Sequence, residues 1–310
     1  MTTADIASIG SLNSQAAVRR LQLDDVTFTY IVDGAMAMPP HQFLSSVPAE
    51  YWADHPETLD ADGRLLMSAG GLLVERDGLR LLIDAGLGAV TMATDLGQGD
   101  SGAFLETLAA VGVGVADIDL LAFTHLHGDH TGWAFAAATE GPPRPTFPRA
   151  RYVIADTELA GPTGDDAGDS ASQEQLPIVE TLRRSANLTV IQDGQEVAAG
   201  VVALVTPGHS PGHTSYVVTT ASGKRLIAFG DTFHTPAQMA STDWGSAPDS
   251  DPHAVPGARE RLLAELSEPG TIGFGIHFGD QPFGEVRRDT GAAEWHPVET
   301  TVLFPPPRTC

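Results

Sequence analysis

The chain has 310 residues, 42% of them hydrophobic and 18% charged, which is the make-up of a globular protein with a large core and not of a disordered or fibrous one. Forty acidic residues against seventeen basic ones leave a net charge of -23, with Lys224 the only lysine, which argues against nucleic acid and anionic membrane as partners. The single cysteine, Cys310, excludes an intramolecular disulfide and a thiolate metal cage.

Residues 1–20 form an extension of open role. They show no basic stretch followed by an apolar one, and no apolar run approaches the roughly 20 residues that span a bilayer. A cytoplasmic protein is expected. Residues 21–33 (LQLDDVTFTYIVD) predict a strand, followed by an apolar series, Met36, Met38, Phe43 and Trp52. Residues 70–76 and 79–84 predict two strands joined at Asp77-Gly78, a strong hairpin signal. A helix is expected over 102–111, a strand over 119–124, a proline-rich loop over 141–148 and a strand over 151–155. An acidic, small-residue loop at 161–172 precedes a helix at 173–185. Strands follow at 201–206, 214–220 and 225–230. A helix at 257–267, with Leu262, Leu263 and Leu266 at helical spacing, ends at Pro269-Gly270, and 271–277 predicts a last strand. No short repeat is present, and neither loop has the length of an interdomain linker. The whole of 1–310 is expected to form one domain.

Four of these strands end in ligand-type side chains. "THLHGDHTG" (124–132) carries His125, His127, Asp129 and His130. "TPGHSPGH" (206–213) carries His209 and His213, "AFGDTFH" (228–234) carries Asp231 and His234, and "GIHFGD" (275–280) carries His277. In an extended backbone residues i and i+2 share a face, so His125 and His127 can grip one ion together, with Gly128 then permitting a turn. Adding His209 gives three nitrogens for one cation. Asp129, His130 and His277 give an oxygen and two nitrogens for a second, and Asp231 can bridge the two. Three protein ligands with a place left for solvent is the open arrangement of a catalytic site. Two ions about 3.5–4 Å apart are the usual clamp for hydrolysis, in which bound water ionises near neutral pH. His41, His55, His253 and His296 fit no such pattern and are read as surface residues.

His125-Leu126-His127-Gly128-Asp129-His130 is the H-x-H-x-D-H hallmark of the metallo-β-lactamase superfamily, which the chain resembles from about residue 20 onward. His209, Asp231 and His277 match the remaining ligands in order, and Asp84 in "LLIDAGLG" matches an aspartate near the family's site. The resemblance implies a four-layer αββα sandwich of the α/β class. The gaps of 79, 22 and 46 residues between His130, His209, Asp231 and His277 are similar to those of the methyl parathion hydrolase-like and acyl-homoserine lactonase-like branch. So are "GDTFHTPAQMASTDWGSAPDSDP" (230–252) and "IHFGDQPFGEV". True class B β-lactamases use a ligand cysteine, which this chain lacks. Arg287-Arg288 does not match the glutathione-binding pattern of hydroxyacylglutathione hydrolases.

The resemblance implies a dinuclear hydrolase that uses a metal-bridging hydroxide, with two divalent ions, zinc first and manganese, cobalt or iron as alternatives. Lactones, acyl-homoserine lactones in particular, are the first expected substrates. Aryl phosphotriesters or aryl esters come second, thioesters next, and a non-catalytic metal-binding protein last. Asp129 and Asp231 are the candidates to orient the hydroxide and protonate the leaving oxygen. His234 stands where related lactonases place a tyrosine, and is expected to hydrogen-bond the substrate. Thr124, Asp84 and His213 are expected to support the ligands from behind. The substrate pocket is expected from Met36, Met38, Phe43, Trp52, Trp133, Phe233, Trp244 and Phe283. The partner is then a small ester or lactone, and since relatives are often dimers a homodimer is compatible.

Overall fold

The strand Val26–Met38 is buried along nearly its whole length, as expected of a central strand covered on both faces. Phe28, Tyr30 and Val32 point one way, into a core shared by two sheets, and Ile31 points the other way, under helices. The computed structural model describes residues 6–94, 97–136, 143–160, 170–288 and 291–307.

One sheet runs in the order Ile6–Ser8, Thr300–Phe304, Val18–Leu23, Val26–Met38, Leu65–Arg76, Leu79–Ile83, Leu120–Ala122, Arg151–Ala155, Leu188–Ile191, the last four parallel to one another. The strands Thr91–Thr94 and Gly97–Ser101 pair with each other, and the second also pairs with Val26–Met38. The other sheet runs Glu196–Ala198, Val201–Val205, Thr214–Thr219, Arg225–Ala228, Thr271–Phe274, Phe283–Arg287, Glu294–Pro297. Between the sheets Leu72, Leu81, Leu120 and Val153 meet Tyr216, Leu226, Phe274 and Ile276. Each such side chain, fully buried, contributes about 1.5–3 kcal/mol.

The outer faces carry the helices. Phe104 and Leu108 of the helix Phe104–Ala110, with Val179 and Leu182 of Ser170–Arg184, cover the first sheet. Leu262, Leu263 and Leu266 of Val255–Leu266 cover the second. The result is the αββα sandwich. Each helix carries its apolar residues at spacings of three and four, so that one stripe lies on the sheet and the rest meets water.

The Asp77-Gly78 hairpin is present, joining Leu65–Arg76 to Leu79–Ile83. The single strand expected over 21–33 is two strands, because Asp24 takes a left-handed backbone (φ 51°) and turns the chain before Val26. Two short helices, Pro40–Phe43 and Ala49–Asp54, and the strands at 91–101 carry too little periodicity to be read from sequence. Of the expected loops, residues 141–142 and 161–169 lie outside the described residues, as does Cys310, and residues 170–172 open the helix Ser170–Arg184.

Candidate dinuclear metal centre

All four ligand-bearing segments emerge at one edge of the sandwich, beyond the ends of Leu120–Ala122, Val201–Val205, Arg225–Ala228 and Thr271–Phe274. Two tyrosines of the core reach up to hold them. Tyr216 donates its hydroxyl to Phe123 O and Tyr30 donates to Ile276 O, both at 2.8 Å. Asp231 stands in the middle. Its Oδ1 lies 3.1 Å from Nε2 of both His130 and His277, and its Oδ2 lies 3.3 Å from His209 Nε2 and 3.8 Å from His125 Nε2. His127 Nδ1 is 2.9 Å from Nε2 of both His125 and His209, while Asp129 Oδ2 is 3.6 Å from Nε2 of His130 and His277. Two donor groups result: His125, His127, His209 with Asp231, and Asp129, His130, His277 with Asp231, each with its donor atoms within 4.8 Å of one another. The turn between them is the single helical turn Gly128–Thr131 with ordinary backbone, so Gly128 is not needed for the turn.

The imidazoles are held from behind. His130 Nδ1 meets Asp84 Oδ2 at 2.8 Å, His209 Nδ1 meets Asp249 Oδ1 at 2.9 Å, His277 Nδ1 donates to Ser68 O at 2.9 Å and His125 Nδ1 meets Thr124 Oγ1 at 3.1 Å. Each bond fixes a tautomer and turns Nε2 inward. Asp84 has a left-handed backbone (φ 63°), unusual for a non-glycine residue, and also accepts the Thr124 N–H and hydroxyl at 2.8 Å. His213 belongs to neither donor group. Its Nε2 accepts the Asp231 N–H at 3.0 Å and its Nδ1 lies 2.9 Å from Thr206 Oγ1, so it sets the backbone under Asp231. Gly230 is required there: its φ is 48°, and a Cβ would fall 2.7 Å from His213 Nε2.

Burial holds His125 and His213 well below the ordinary imidazole range, so both are neutral. Burial alone would raise Asp231, but the surrounding His130, His277, His234 and His125 outweigh it and hold the carboxyl well below its usual range. Burial likewise opposes charge on His130 and His277, yet Asp231 and Asp129 overcome it and pull both upward. The second donor group thus demands positive charge. The buried His130 Nε2 and Asp231 Oδ1 face each other at 3.1 Å without a hydrogen bond of good geometry, a costly arrangement unless something coordinates them. A divalent cation in each group meets both demands, so the residues present fit a pair of such ions.

The two groups floor a cleft of about 260 Å³ whose walls include Met36, Met38, Phe43, Met67, Leu87 and Pro248. His234 also lines it, 2% exposed, its ring parallel to His277 at 5.7 Å and edge-on to Phe43 at 5.1 Å. Five residues expected in the pocket lie elsewhere. Phe233 and Phe283 are core residues. Trp52 and Trp244 belong to a satellite cluster with Leu44, Val47 and Leu65. Trp133 donates Nε1–H to Asp33 at 3.1 Å. For Trp133, Phe233, Trp244 and Phe283 closeness in sequence to the ligands misleads, because chain neighbours of a ligand need not face the same side, and Trp52 of the earlier apolar series turns into its own cluster. His41 and His253 are exposed, and His55 and His296 half-buried, all apart from the cleft.

Sequence reasoning missed Met67, Leu87 and Pro248, and also Asp249, Glu158, Asp33 and the Arg19–Asp280 pair. Arg19 grips Asp280 through two contacts of 2.6 Å and so anchors the loop after His277. Leu87 inside "LLIDAGLG", Pro248 and Asp249 inside 230–252 and Asp280 inside "GIHFGD" stood within recognised segments; the others carried no signal.

Residues 71–275 match the family model of the metallo-β-lactamase superfamily. A curated N-acyl homoserine lactonase from Bacillus thuringiensis is 29% identical over 124 residues, which is 40% of this chain and 42% of the relative, so less than half of the relative's length is matched. Among solved structures, AidC, a dizinc quorum-quenching lactonase in complex with a product, superposes with a TM-score of 0.77 at 20% identity, covering 92% of this chain and 98% of AidC. The hydrolase AbOPH of the β-lactamase superfamily gives 0.75 at 22% identity, covering 92% and 99%. With the H-x-H-x-D-H segment at the edge of an αββα sandwich and a family match spanning well over half of its length, the chain belongs to the metallo-β-lactamase superfamily.

Proposed function

We propose that the protein is a dinuclear metal-dependent hydrolase that opens neutral lactones bearing an acyl tail, acyl-homoserine lactones being the favoured class. The observation that carries this reading is the cleft. Six apolar side chains wall a polar floor of His127, Asp129, Asp231, His234 and His277, and among the described residues no lysine or arginine lines it. Such a site suits an uncharged head group with an aliphatic tail, since the cleft walls supply no cationic side chain to a phosphate or carboxylate. The lactonases among the relatives point the same way.

His125, His127 and His209 would hold one ion, and Asp129, His130 and His277 the other, with Asp231 shared; zinc is the first choice for this donor set. When bound, such a pair acidifies water toward neutral pH and polarises the substrate oxygen. The remaining work belongs to side chains. Asp129 faces the cleft beside Asp231 and is placed to orient the attacking water and take its proton. As the ring C–O bond breaks, that proton passes to the leaving alkoxide. His234 is kept below the usual imidazole range, chiefly by burial, with Nε2 3.1 Å from Asp231 Oδ2 and Nδ1 without a hydrogen-bond partner. A neutral ring at the cleft wall donates N–H to the carbonyl oxygen as charge develops on it. Met36, Met38 and Met67 are flexible thioethers that adapt to an acyl chain.

Aryl phosphotriesters and aryl esters are the second reading, favoured by Phe43, whose ring could stack on an aryl leaving group. The test is proton release in a pH-stat with metal-loaded protein, comparing acyl-homoserine lactones, aryl phosphotriesters and acyl thioesters, with Asp231→Asn as the blank. Lactone opening faster than the other two, and lost in the blank, supports the reading. Phosphotriester or thioester cleavage without lactone opening overturns the substrate class.

A further inference from the structure

The five-residue helix Asp156–Ala160 carries a carboxylate that the proposed reaction does not use. Glu158 is only 2% exposed. Its Oε1 accepts the Leu126 N–H at 3.0 Å, and its Oε2 accepts the Gly212 N–H at 2.9 Å and the Ser210 hydroxyl at 2.7 Å. Leu126 lies between His125 and His127, and Ser210 directly follows His209. One buried carboxylate therefore joins the two loops that supply all three imidazoles of the first donor group. The approach is close: a Cβ on Gly212 would fall 2.1 Å from Glu158 N, so a glycine is required at that position.

The two loops come from different sheets, one after Leu120–Ala122 and the other after Val201–Val205, so their separation is a matter of how the sheets pack. Burying a carboxylate away from water is costly, and three donors directed at Glu158 offset that cost only when both loops are in place. The second donor group is held differently, through Asp84 on His130 and Ser68 O on His277, and donates no hydrogen bond to Glu158.

We propose that Glu158 is a positioning residue that clasps the His125–His127 loop to the His209 loop, and thereby sets the affinity of the first donor group for its cation while leaving that of the second unchanged. This rests on the reading of the two groups as cation sites.

The test is titration of the metal-stripped full-length protein with Co(II), followed by calorimetry and visible absorption, which resolve the two binding steps. In Glu158→Ala one step should weaken by about tenfold or more, the usual effect of losing an outer partner of a metal site, with the other unmoved. Glu158→Gln, which keeps an acceptor for Leu126, should recover part of the loss. Ser210→Ala, which removes one of the three bonds, should shift the same step by a smaller factor. Equal weakening of both steps overturns the proposal, as does a lowered unfolding temperature with both affinities intact. If Glu158→Ala does not fold, Ser210→Ala decides, and an unchanged pair of steps overturns the proposal. Fewer than two cobalt equivalents on the unmodified protein would remove the two-cation reading itself, and the proposal with it.

Discussion

Asp33 shows how much a single residue can organise without touching substrate. It is fully buried, and its carboxylate accepts the N–H groups of Leu87, Gly88, Gly102 and Phe104 at 2.9 Å as well as the Trp133 indole N–H. Burial pushes its carboxyl above the ordinary range, and the hydrogen bonds from Phe104, Trp133, Gly88 and Gly102 oppose that shift. Asp33→Asn replaces one acceptor oxygen with an amide donor facing N–H groups, and should cost about 2–4 kcal/mol in urea unfolding. A loss below about 0.5 kcal/mol, the scatter of neutral surface changes, would contradict this account. His234 is the counterpart on the chemical side. Its ring lines the cleft with Nδ1 unpartnered, so His234→Ala should lower kcat by about a hundredfold while metal content stays at two equivalents. Full activity in that variant would remove the role.

At the scale of elements, the sheets are latched at the end far from the cleft by the turn Asp24-Asp25. Arg76, at the end of Leu65–Arg76, bonds Asp25 Oδ2 at 2.7 Å and Thr219 O at 2.8 Å, and Asp25 Oδ1 accepts the Ala221 N–H at 2.8 Å. The Arg76 guanidinium, then the Ala221 N–H, lower the Asp25 pKa from 3.8 to about 2. Because the folded value is the lower one, this latch stabilises the fold in full above about pH 4 and is lost as pH falls through about 2. Asp25→Asn should therefore flatten the fall in thermal stability between those two values. An unchanged acid slope would show that the latch contributes nothing.

For the whole molecule, the decisive feature is that charge is concentrated in two places. The surface carries most of a net charge of -23, and the cleft floor holds two carboxylates among buried imidazoles. Removing bound cations with a chelator should lower the unfolding midpoint, since Asp231 Oδ1 and His130 Nε2 are then left without a hydrogen bond of good geometry. Each site saturated at a hundred times its Kd stabilises the fold by about 2.7 kcal/mol, and restoring the metal should restore the midpoint. A midpoint indifferent to metal would contradict the two-cation reading.

The H-x-H-x-D-H segment, the later His209, Asp231 and His277, and the alternation of strands with amphipathic helices were legible along the chain, because each is a local pattern of side-chain type against backbone period. They were enough for the superfamily and for which residues meet at the edge of the sandwich. What stands behind and around them was decided only by tertiary packing. Asp249 reaches His209 from 40 residues away, Glu158 joins loops from two sheets, and Ser68 acts through a carbonyl that every residue possesses. The cleft walls divide in the same way. Met36 and Met38 line the cleft while Trp52 and Phe283 pack into apolar clusters, because a side chain's destination depends on which face of its element meets the opposite layer, and an apolar residue looks the same from the sequence on either face.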